Sequence, residues 1–444
     1  PEKHIQRDYL NRMAWGTDAS FYRLVPKVVI HSESELDISS IVRSALKHNI
    51  PLTFRAAGTS LSGQSVTDSV LVVAGKGWEK YSISDDLKSI RLQTGITGKR
   101  VNSILKRCGK RFPPDPASIN SAMVGGIVLN NASGMSCGIH ENSYRMIKSV
   151  RIILSDGTLL DTGDKDSREA FKVSHSDFIE KLMLIRSMVM SDGKLVARIK
   201  KKYSIKNVMG LNILPFVEYE DLFDIITHLI VGSEGTLAFL SEVEMKTVDD
   251  LEFSSSGMLY FKDMRTASEL VMALKGTPVS AVEFMDRKAL QSIEYKSEAP
   301  IELRTLSDSA TALLIKIEAD SEHKLAEYTS RVKDIVSNFE TILPVQFTTD
   351  AGIYNNYWAL RSGIFPSVGG MRPLGTSCLI EDVAFPMDVF ADAVEDLRNI
   401  LDKNGYEDAV IYGHALEGNY HFILNQSFDT EESIEQYKSL MNDV

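Results

Sequence analysis

The chain has 444 residues, 43% of them apolar, and its 60 acidic residues outweigh 49 basic ones to give a net charge of -11. This length exceeds one ordinary domain and the apolar fraction suffices for substantial cores, so we expect more than one folded unit. The acidic balance argues against a nucleic-acid partner or a polybasic membrane contact. A small anionic ligand would need a local basic pocket.

The cysteines and the hydropathy exclude further classes of protein. Cys108, Cys137 and Cys378 lie far apart without a CxxC spacing, so the sequence carries no disulfide framework and no iron–sulfur or zinc-ribbon motif. We therefore expect a reducing, cytoplasmic compartment. The sequence has no apolar run of about 18 residues, so no transmembrane segment is predicted.

In the first half, short strands alternate with helices. Residues 1–21 are mostly polar and are predicted to form a helical N-terminal extension. The Asp156-Gly157 pair within VRIILSDGTLLDT predicts a tight hairpin. Further strands are predicted at VPKVVI, PLTFRA, SVLVV and SIRLQTG, and helices at residues 34–49 and at VNSILKRCG.

Residues 249–256, DDLEFSSS, are the best candidate for a domain boundary. Beyond them, strands are predicted at MLYF, VSAVEFMD and ALLIKIEA, and helices at TASELVMALKG and HKLAEYTSRVKDIVSNF. This order is typical of an α+β domain with antiparallel pairing. We therefore predict an α+β chain whose two domains span residues 22–248 and 249–444.

A glycine-rich segment, FRAAGTSLSGQS at residues 54–65, follows a predicted strand. Its glycines let the backbone turn and present N–H groups to an anion, and its hydroxyls add donors. Gln64 stands where a P-loop needs lysine, which argues against a nucleotide triphosphatase. A GxGxxG fingerprint is absent, and a glycine-rich turn without a ligand is the alternative.

Two later segments share this character. PPDPASINSAMVGGIVLNNASG, residues 113–134, combines a rigid start with a glycine pair and neutral polar side chains, which suit the edge of a conjugated heterocycle. VGSEGTLAFL, residues 231–240, places Glu234 in a turn before a strand. Each segment by itself is weak evidence for a ligand site, because glycine-rich turns are common. The occurrence of all three in this order is more informative.

These segments resemble blocks of the flavoproteins typified by p-cresol methylhydroxylase and vanillyl-alcohol oxidase, especially the D-lactate, glycolate and D-2-hydroxyglutarate dehydrogenase branch. RAAGTSLSGQS is similar to the loop around the flavin pyrophosphate, and PPDPAS with VGGIVLNNASG to the second FAD-contacting segment. YSIKNVMG, VGSEGTLAFL, YWALRSG and GHALEGNYHFIL resemble later blocks. The resemblance implies a two-subdomain p-cresol methylhydroxylase-type FAD-binding domain and a ferredoxin-like α+β cap domain.

The resemblance implies FAD as the cofactor. Residues 54–65 contain no histidine to which a flavin could be attached, so non-covalent FAD is expected. The residues that the resemblance assigns to FAD are Arg55, Ala56, Ala57, Gly58, Thr59, Ser60, Gly63, Gln64, Pro114, Asp115, Ser118, Ala122, Gly125, Gly126, Asn131, Ser133, Gly134, Glu234, Gly235 and Asn419.

The activity that the resemblance implies is oxidation of a D-2-hydroxy acid of the D-lactate or D-2-hydroxyglutarate type to the 2-oxo acid, by hydride transfer to flavin N5. Arg361 matches the arginine that binds the substrate carboxylate, and Arg372 is a candidate for a second contact. The alternative for both is a surface salt bridge with Glu381 or Asp382.

GHALEGNYHFIL, residues 413–424, resembles the block that supplies two metal-binding histidines, here His414 and His421. A divalent ion such as zinc or manganese would polarise the substrate hydroxyl. Glu417 stands where the family more often has aspartate. The family's third ligand belongs to a Glu-His-Gly block that the sequence lacks. The alternative is that both histidines are structural.

The cap is therefore expected to be incomplete at its C-terminal end, with iron–sulfur clusters in a portion that this chain lacks. Electrons would pass to such a portion or to a quinone, and a peripheral position at the inner membrane face is an alternative to a purely cytoplasmic one. Two other functions stay open. One is FAD-dependent oxidation of a sugar or other alcohol, and the other is flavin binding without activity.

Overall fold

The computed structural model describes residues 4–208 and 210–444, which form two compact units. The first unit ends at Asp250 and the second spans Leu251–Val444. This division falls within the segment DDLEFSSS. Residues 1–3 of the predicted extension, and Met209 in YSIKNVMG, lie outside the described residues.

The first unit begins with a mainly parallel sheet, which a strand–helix–strand sequence predicts. In the described part its strand order is β1-β2-β4-β3, and only β1 runs antiparallel to its neighbour. The predicted N-terminal helix is therefore only partly correct, because two residues of that segment pair with β2 as an edge strand. The elements are β1 (Ile5–Gln6), α1 (Tyr9–Ala14), β2 (Val28–Ser32), α2 (Glu35–His48), β3 (Leu52–Arg55) and β4 (Val70–Ala74).

A second, antiparallel sheet follows in this unit, with the order β5-β6-β10-β8-β9 among the described residues, and β7 pairs with β11 in a separate two-stranded sheet. The hairpin around Asp156-Gly157 is confirmed, since Ile153 pairs with Leu159 and Gly157 has a φ of 82°. The elements are β5 (Tyr81–Ile83), β6 (Ser89–Gln93), α3 (Gly98–Leu105), β7 (Lys110–Arg111), α4 (Val124–Leu129), α5 (Ser143–Met146), β8 (Ile147–Ile153), β9 (Leu159–Asp161), α6 (Lys165–Ser174), α7 (Ser176–Ser191), α8 (Gly193–Lys202), α9 (Pro215–Glu218), α10 (Leu222–Ile230), β10 (Phe239–Lys246) and β11 (Val248–Asp249).

Aromatic side chains join the two sheets of the first unit. The Phe239 ring lies edge-on to Phe54 and to Trp78, with centroid distances of 5.1 Å in both cases. Because Phe239 begins β10 and Phe54 belongs to β3, this contact fixes the end of one sheet against the other. The glycine-rich segment after β3 is held at this junction.

The second unit is built on one antiparallel sheet, as its element order predicts. In the part of the chain that the structure describes, the strand order is β12-β14-β13-β16-β17-β15. The elements are β12 (Phe253–Phe261), α11 (Met264–Leu274), β13 (Ala281–Met285), α12 (Arg287–Gln291), β14 (Thr311–Ala319), α13 (Glu322–Val336), α14 (Ala351–Ser362), α15 (Ile364–Met371), β15 (Ser377–Ala384), α16 (Phe390–Lys403), β16 (Val410–His414), β17 (Asn419–Gln426) and α17 (Glu431–Asp443).

Each face of this sheet carries its own core, because successive side chains of a strand point to opposite faces. On one face, Phe284 and Phe422 pack with residues of α11, α13 and α16. On the other, which we call the α14 face, Met285 and Tyr412 pack with Leu360 of α14 and with residues of α12 and α15. Alternation therefore places residues 283, 414 and 421 on the α14 face.

Within residues 4–208 and 210–444, we find no helix with the length and the hydrophobicity that crossing a bilayer requires.

The close approach of the paired strands β16 and β17 near their turn gives a test of this packing. A Cβ added at Gly413 would lie 2.2 Å from the main-chain oxygen of Asn419. We expect Gly413→Ala to lower the free energy of unfolding by about 1–3 kcal/mol, measured by urea denaturation. Gly370→Ala is the matched control, since its added Cβ meets no atom within 4 Å and alanine favours a helix. Equal stability of the two variants would contradict the close approach.

Candidate functional site

The three glycine-rich segments meet at a cleft in the first unit. Its volume, with the space open to solvent included, is about 950 Å³. Most of the residues that the sequence assigns to FAD line this cleft: Arg55, Ala56, Ala57, Gly58, Thr59, Ser60, Gln64, Ser118, Ala122, Gly125, Gly126, Glu234 and Gly235.

The loop after β3 has the properties of an anion site. The structure gives no acceptor, among the described residues, for the backbone N–H groups of residues 57–60. The Gly58 carbonyl accepts from the Ala19 N–H at 3.0 Å, and a Cβ at Gly58 would collide with the Arg55 guanidinium at 2.5 Å. Gly58 has a φ of 70°, which glycine adopts without strain. Successive N–H groups of this kind suit a phosphate.

The other two segments leave room beside this loop. A Cβ at Gly126 would find Ala56 as its nearest neighbour at 3.8 Å, and one at Gly235 would find Leu129 at 4.0 Å. Thr94, which also lines the cleft and was not predicted from the sequence, has a buried hydroxyl without a hydrogen-bond partner among the described residues. Open space with neutral donors fits a flat heterocycle such as flavin.

Some of the residues assigned to FAD stabilise a neighbouring loop instead of lining the cleft. The Asp115 carboxylate accepts from the Ser136 N–H at 3.0 Å and from the Cys137 N–H at 3.1 Å. Gly134 must be glycine here, because a Cβ would lie 1.8 Å from the Asp115 carbonyl oxygen. Burial raises the pKa of Asp115, and it raises the pKa of the Cys137 thiol to about 12.

Four further residues assigned to FAD also lie outside the cleft lining. Gly63, with a φ of 77°, packs against the Tyr22 ring, and the Asn131 side chain accepts from the Tyr144 N–H at 3.1 Å. Pro114 and Ser133 belong to the same segment as Asp115 and Gly134. The sequence motifs therefore identified the segments that form the cleft. They were less accurate about which side chains of those segments line it.

A second cluster of charged and polar residues lies on the α14 face of the second unit. The strand register places Glu283 opposite His414, and it places both Tyr412 and Asp382 opposite His421. The distance from His414 Nδ1 to a Glu283 oxygen is 2.8 Å, and His421 Nδ1 bonds to Asp382. The Nε2 atoms of the two histidines face each other at 3.3 Å.

Arg361 enters this cluster from the last turn of α14. It is 5% exposed and forms an ion pair with Glu283, which is 0% exposed. Its Cζ lies 4.3 Å from the centroid of the Tyr412 ring. The predicted alternative, a surface salt bridge with Glu381 or Asp382, is therefore wrong, because Arg361 is buried and pairs with a residue of β13.

The facing Nε2 atoms restrict what the cluster can hold. An ionised carboxylate only accepts hydrogen bonds, so a neutral imidazole that donates from Nδ1 to an ionised Glu283 or Asp382 has its lone pair on Nε2. Two such lone pairs at 3.3 Å repel unless a proton or a cation lies between them. Histidines with carboxylates behind them are typical of metal sites. Among residues 4–208 and 210–444, no three or more His, Cys, Asp or Glu side chains are arranged so that they could hold a metal ion together.

The other three residues assigned to this region are engaged elsewhere. The Asn419 amide donates to Asp382 Oδ1 at 3.0 Å and to a main-chain carbonyl at 3.0 Å, so it supports that carboxylate. The Glu417 carboxylate lies 3.9 Å from Lys275 Nζ. Arg372 is exposed and donates to two carbonyl groups of its own loop, which is not the arrangement of a second buried clamp.

Glu283 and Asp382 were not predicted as site residues. A signal for Glu283 exists in the sequence, because it is the one charged residue among the apolar residues of AVEFM, residues 281–285. A charge at the centre of a buried strand needs a partner of opposite charge or a hydrogen-bond donor. The sequence therefore marks residue 283 as a candidate, but it does not show which residue pairs with it.

Comparison with known proteins agrees with this geometry. A family profile described as "FAD binding domain" matches residues 26–163, and one described as "FAD linked oxidases, C-terminal domain" matches residues 251–444. The chain belongs to the FAD-linked oxidase family. Two of the three cleft segments of this FAD-linked oxidase lie in the first match, and the cluster around Glu283 lies in the second.

Individual relatives are distant. The chain is 22% identical to the D-2-hydroxyglutarate dehydrogenase of Haemophilus influenzae over 100% of this chain and 45% of the relative. It is 23% identical to glycolate oxidase subunit GlcD of Bacillus subtilis over 98% of this chain and 80% of the relative. It is 23% identical to the D-lactate dehydrogenase of Archaeoglobus fulgidus over 89% of this chain and 74% of the relative. The chain thus spans less than half the length of the first of these relatives.

A solved structure supports the fold. Alkyldihydroxyacetonephosphate synthase aligns with a TM-score of 0.67 at 13% identity, over 100% of this chain and 78% of that one. At this identity the likeness concerns the fold of the FAD-linked oxidase and carries no information about its substrate.

Filling the open space at Gly126 tests the cofactor cleft. We expect Gly126→Leu to lower the flavin content of the purified protein about tenfold, since the side chain would occupy the room beside Ala56. The measurement is flavin absorbance per chain. Gly193→Leu is the control, because its added Cβ meets no atom within 4 Å and Gly193 begins α8, away from the cleft. Full flavin content in Gly126→Leu would place the cofactor elsewhere.

Proposed function

We propose that this FAD-linked oxidase oxidises a D-2-hydroxy acid of the D-lactate or D-2-hydroxyglutarate type to the 2-oxo acid and passes the electrons to a downstream acceptor. The observation that supports this most strongly is the cluster of buried Arg361 and His414 with partly buried His421, in a chain that also has an FAD-binding domain. The relatives named above act on D-2-hydroxyglutarate, D-lactate and glycolate by name, and these acids share a hydroxyl beside a carboxylate.

Each residue of the cluster has a distinct role in this proposal. FAD, when bound, supplies the hydride acceptor. The Arg361 guanidinium binds the substrate carboxylate through paired N–H donors, a geometry that lysine does not offer. The two Nε2 atoms receive the substrate hydroxyl and accept its proton, or hold a zinc or manganese ion that lowers the hydroxyl pKa. The burial of Arg361 and His414 strengthens their interactions because little water competes.

The electron acceptor is proposed to be an iron–sulfur protein or a quinone. The cysteines of the described chain are free, and burial raises the pKa of both Cys137 and Cys378, which makes the two thiols poor ligands. Clusters would therefore have to be held by other cysteines. A cytoplasmic location belongs to the same proposal.

Anaerobic reduction of the flavin tests the activity. We expect D-lactate or D-2-hydroxyglutarate to bleach the flavin of the wild-type protein, while the L-enantiomers do not. Arg361→Lys should lower kcat/KM at least about 100-fold, because the bidentate contact is lost. Arg372→Lys should have little effect, since that side chain is exposed.

Other outcomes of this experiment decide between the alternatives. Bleaching by neutral sugars or alcohols, with Arg361→Lys unaffected, would replace the proposal with oxidation of an uncharged alcohol. A flavin that no hydroxy acid reduces would indicate flavin binding without activity.

Metal analysis tests the two histidines. We expect zinc or manganese to be retained after gel filtration of the wild-type protein, and retention to fall at least about tenfold in His414→Asn and in His421→Asn. His323→Asn, an exposed change in α13, should retain the wild-type amount. Equal metal content in all four proteins would show that these histidines are not the ligands.

A further inference from the structure

We infer that Glu283 is a positioning residue that couples the carboxylate-binding arginine to the hydroxyl-binding histidine, and so sets the selectivity for a hydroxyl at C2. The inference rests on the proposed function. Its structural basis is a single carboxylate with two different partners. One oxygen pairs with the Arg361 guanidinium, and the other accepts from His414 Nδ1 at 2.8 Å.

Packing stability alone does not explain a carboxylate at position 283. Glu283 is 0% exposed in the middle of β13, where the other four residues of the strand are also buried. Burying a carboxylate has a large desolvation cost, and a well-packed apolar residue at such a position is often as stable or more stable. A charge retained here is therefore best explained by the orientation that it gives to its partners.

The two partners are oriented in different ways. The ion pair holds the Arg361 guanidinium beside Glu283, and the guanidinium also lies against the Tyr412 ring, with Cζ 4.3 Å from its centroid. The contact with His414 places the proton on Nδ1 and leaves Nε2 as the acceptor that faces His421. Because both constraints come from the same carboxylate, the carboxylate-binding and hydroxyl-binding groups are held in one fixed relation.

This fixed relation has a consequence for the substrate. In a 2-hydroxy acid the hydroxyl is on the carbon next to the carboxylate, and in a 3-hydroxy acid it is one carbon further away. Two binding groups that cannot move apart will favour the first over the second, since misplacement of a reacting group is costly to rate. Loosening either group should weaken this preference.

Glu283→Gln tests the coupling, because the amide oxygen can still accept from His414 Nδ1 while the charge opposite Arg361 is lost. We expect KM for the D-2-hydroxy acid to rise about tenfold with a smaller change in kcat. The ratio of kcat/KM for 2-hydroxybutyrate to kcat/KM for 3-hydroxybutyrate should fall several-fold. We also expect the affinity for zinc alone, measured by competition with a chelator, to fall about tenfold or more. Glu283→Asp, which keeps the charge, should recover part of each loss.

The matched control is Glu294→Gln. Glu294 forms a buried ion pair with Arg287 at 2.8 Å in the same unit, and both side chains are 8% exposed. This variant should lose thermal stability as Glu283→Gln does, but keep the wild-type KM, preference and zinc affinity. If Glu283→Gln loses stability alone, as the control does, the residue is structural and the inference is wrong.

Failure of the proposed function is recognised separately. If wild-type flavin is bleached by no hydroxy acid, the proposed function fails, and the zinc competition then decides whether Glu283 positions His414. Should Glu283→Gln not fold, Glu283→Asp provides the comparison, since its carboxylate is one methylene shorter and should give smaller losses of the same kind. Wild-type zinc affinity and wild-type substrate preference in that variant would overturn the inference.

Discussion

A carboxylate without solvent access needs positive charge and hydrogen-bond donors around it, and this requirement organises the second unit. Glu283 stands at the centre of β13, fully buried. The helix that covers this face supplies the guanidinium of Arg361, and the next strand supplies the imidazole of His414. Removing Arg361 would leave a buried charge uncompensated, and removing His414 would leave a buried carboxylate oxygen without that donor, so either loss is costly. The site and the fold of this unit therefore depend on the same contacts.

The first unit has a cleft whose described residues provide hydrogen-bond donors without a cluster of basic side chains. Its cleft is lined mostly by glycine, alanine and neutral polar residues, with Arg55 and Glu234 as the charged members. Arg55 does not act as a free cation there, because its guanidinium donates to the carbonyl groups of Trp15 and Thr17 at 3.2 and 2.8 Å. Affinity for an anionic group in this cleft thus comes chiefly from backbone N–H groups. An acidic protein can use such donors without a basic patch.

The fold was largely predictable from the sequence because local patterns agree with the final structure. The helix predicted at 34–49 has a side-chain cap from Ser34 and ends at Asn49 with a φ of 51°, both of which the sequence indicates. The N-terminal segment was harder, since Ile5 and Gln6 form a strand only because β2 offers a free edge. That pairing is tertiary and has no signature in the segment itself.

The site was predictable in part, for a similar reason. Glycine-rich segments and the two histidines were found by resemblance, and the structure brings the segments to one cleft and the histidines face to face. The partner of Arg361 could not be found in this way, because Glu283 is 78 residues away and the contact depends on how α14 crosses the sheet. Asp115 shows the opposite error, since a residue in a cofactor motif can serve the loop that carries the motif.

The alternation of side chains along β13, β16 and β17 makes correct folding and function a single property of this unit. His414 and His421 share their strands with core residues that point to the opposite face, such as Ile411 and Phe422. If β17 paired with β16 one residue out of register, His421 would turn into the apolar core and Phe422 would enter the cluster. A molecule in that state would lack the site altogether, so partial misfolding would reduce the number of competent molecules without changing the properties of the rest.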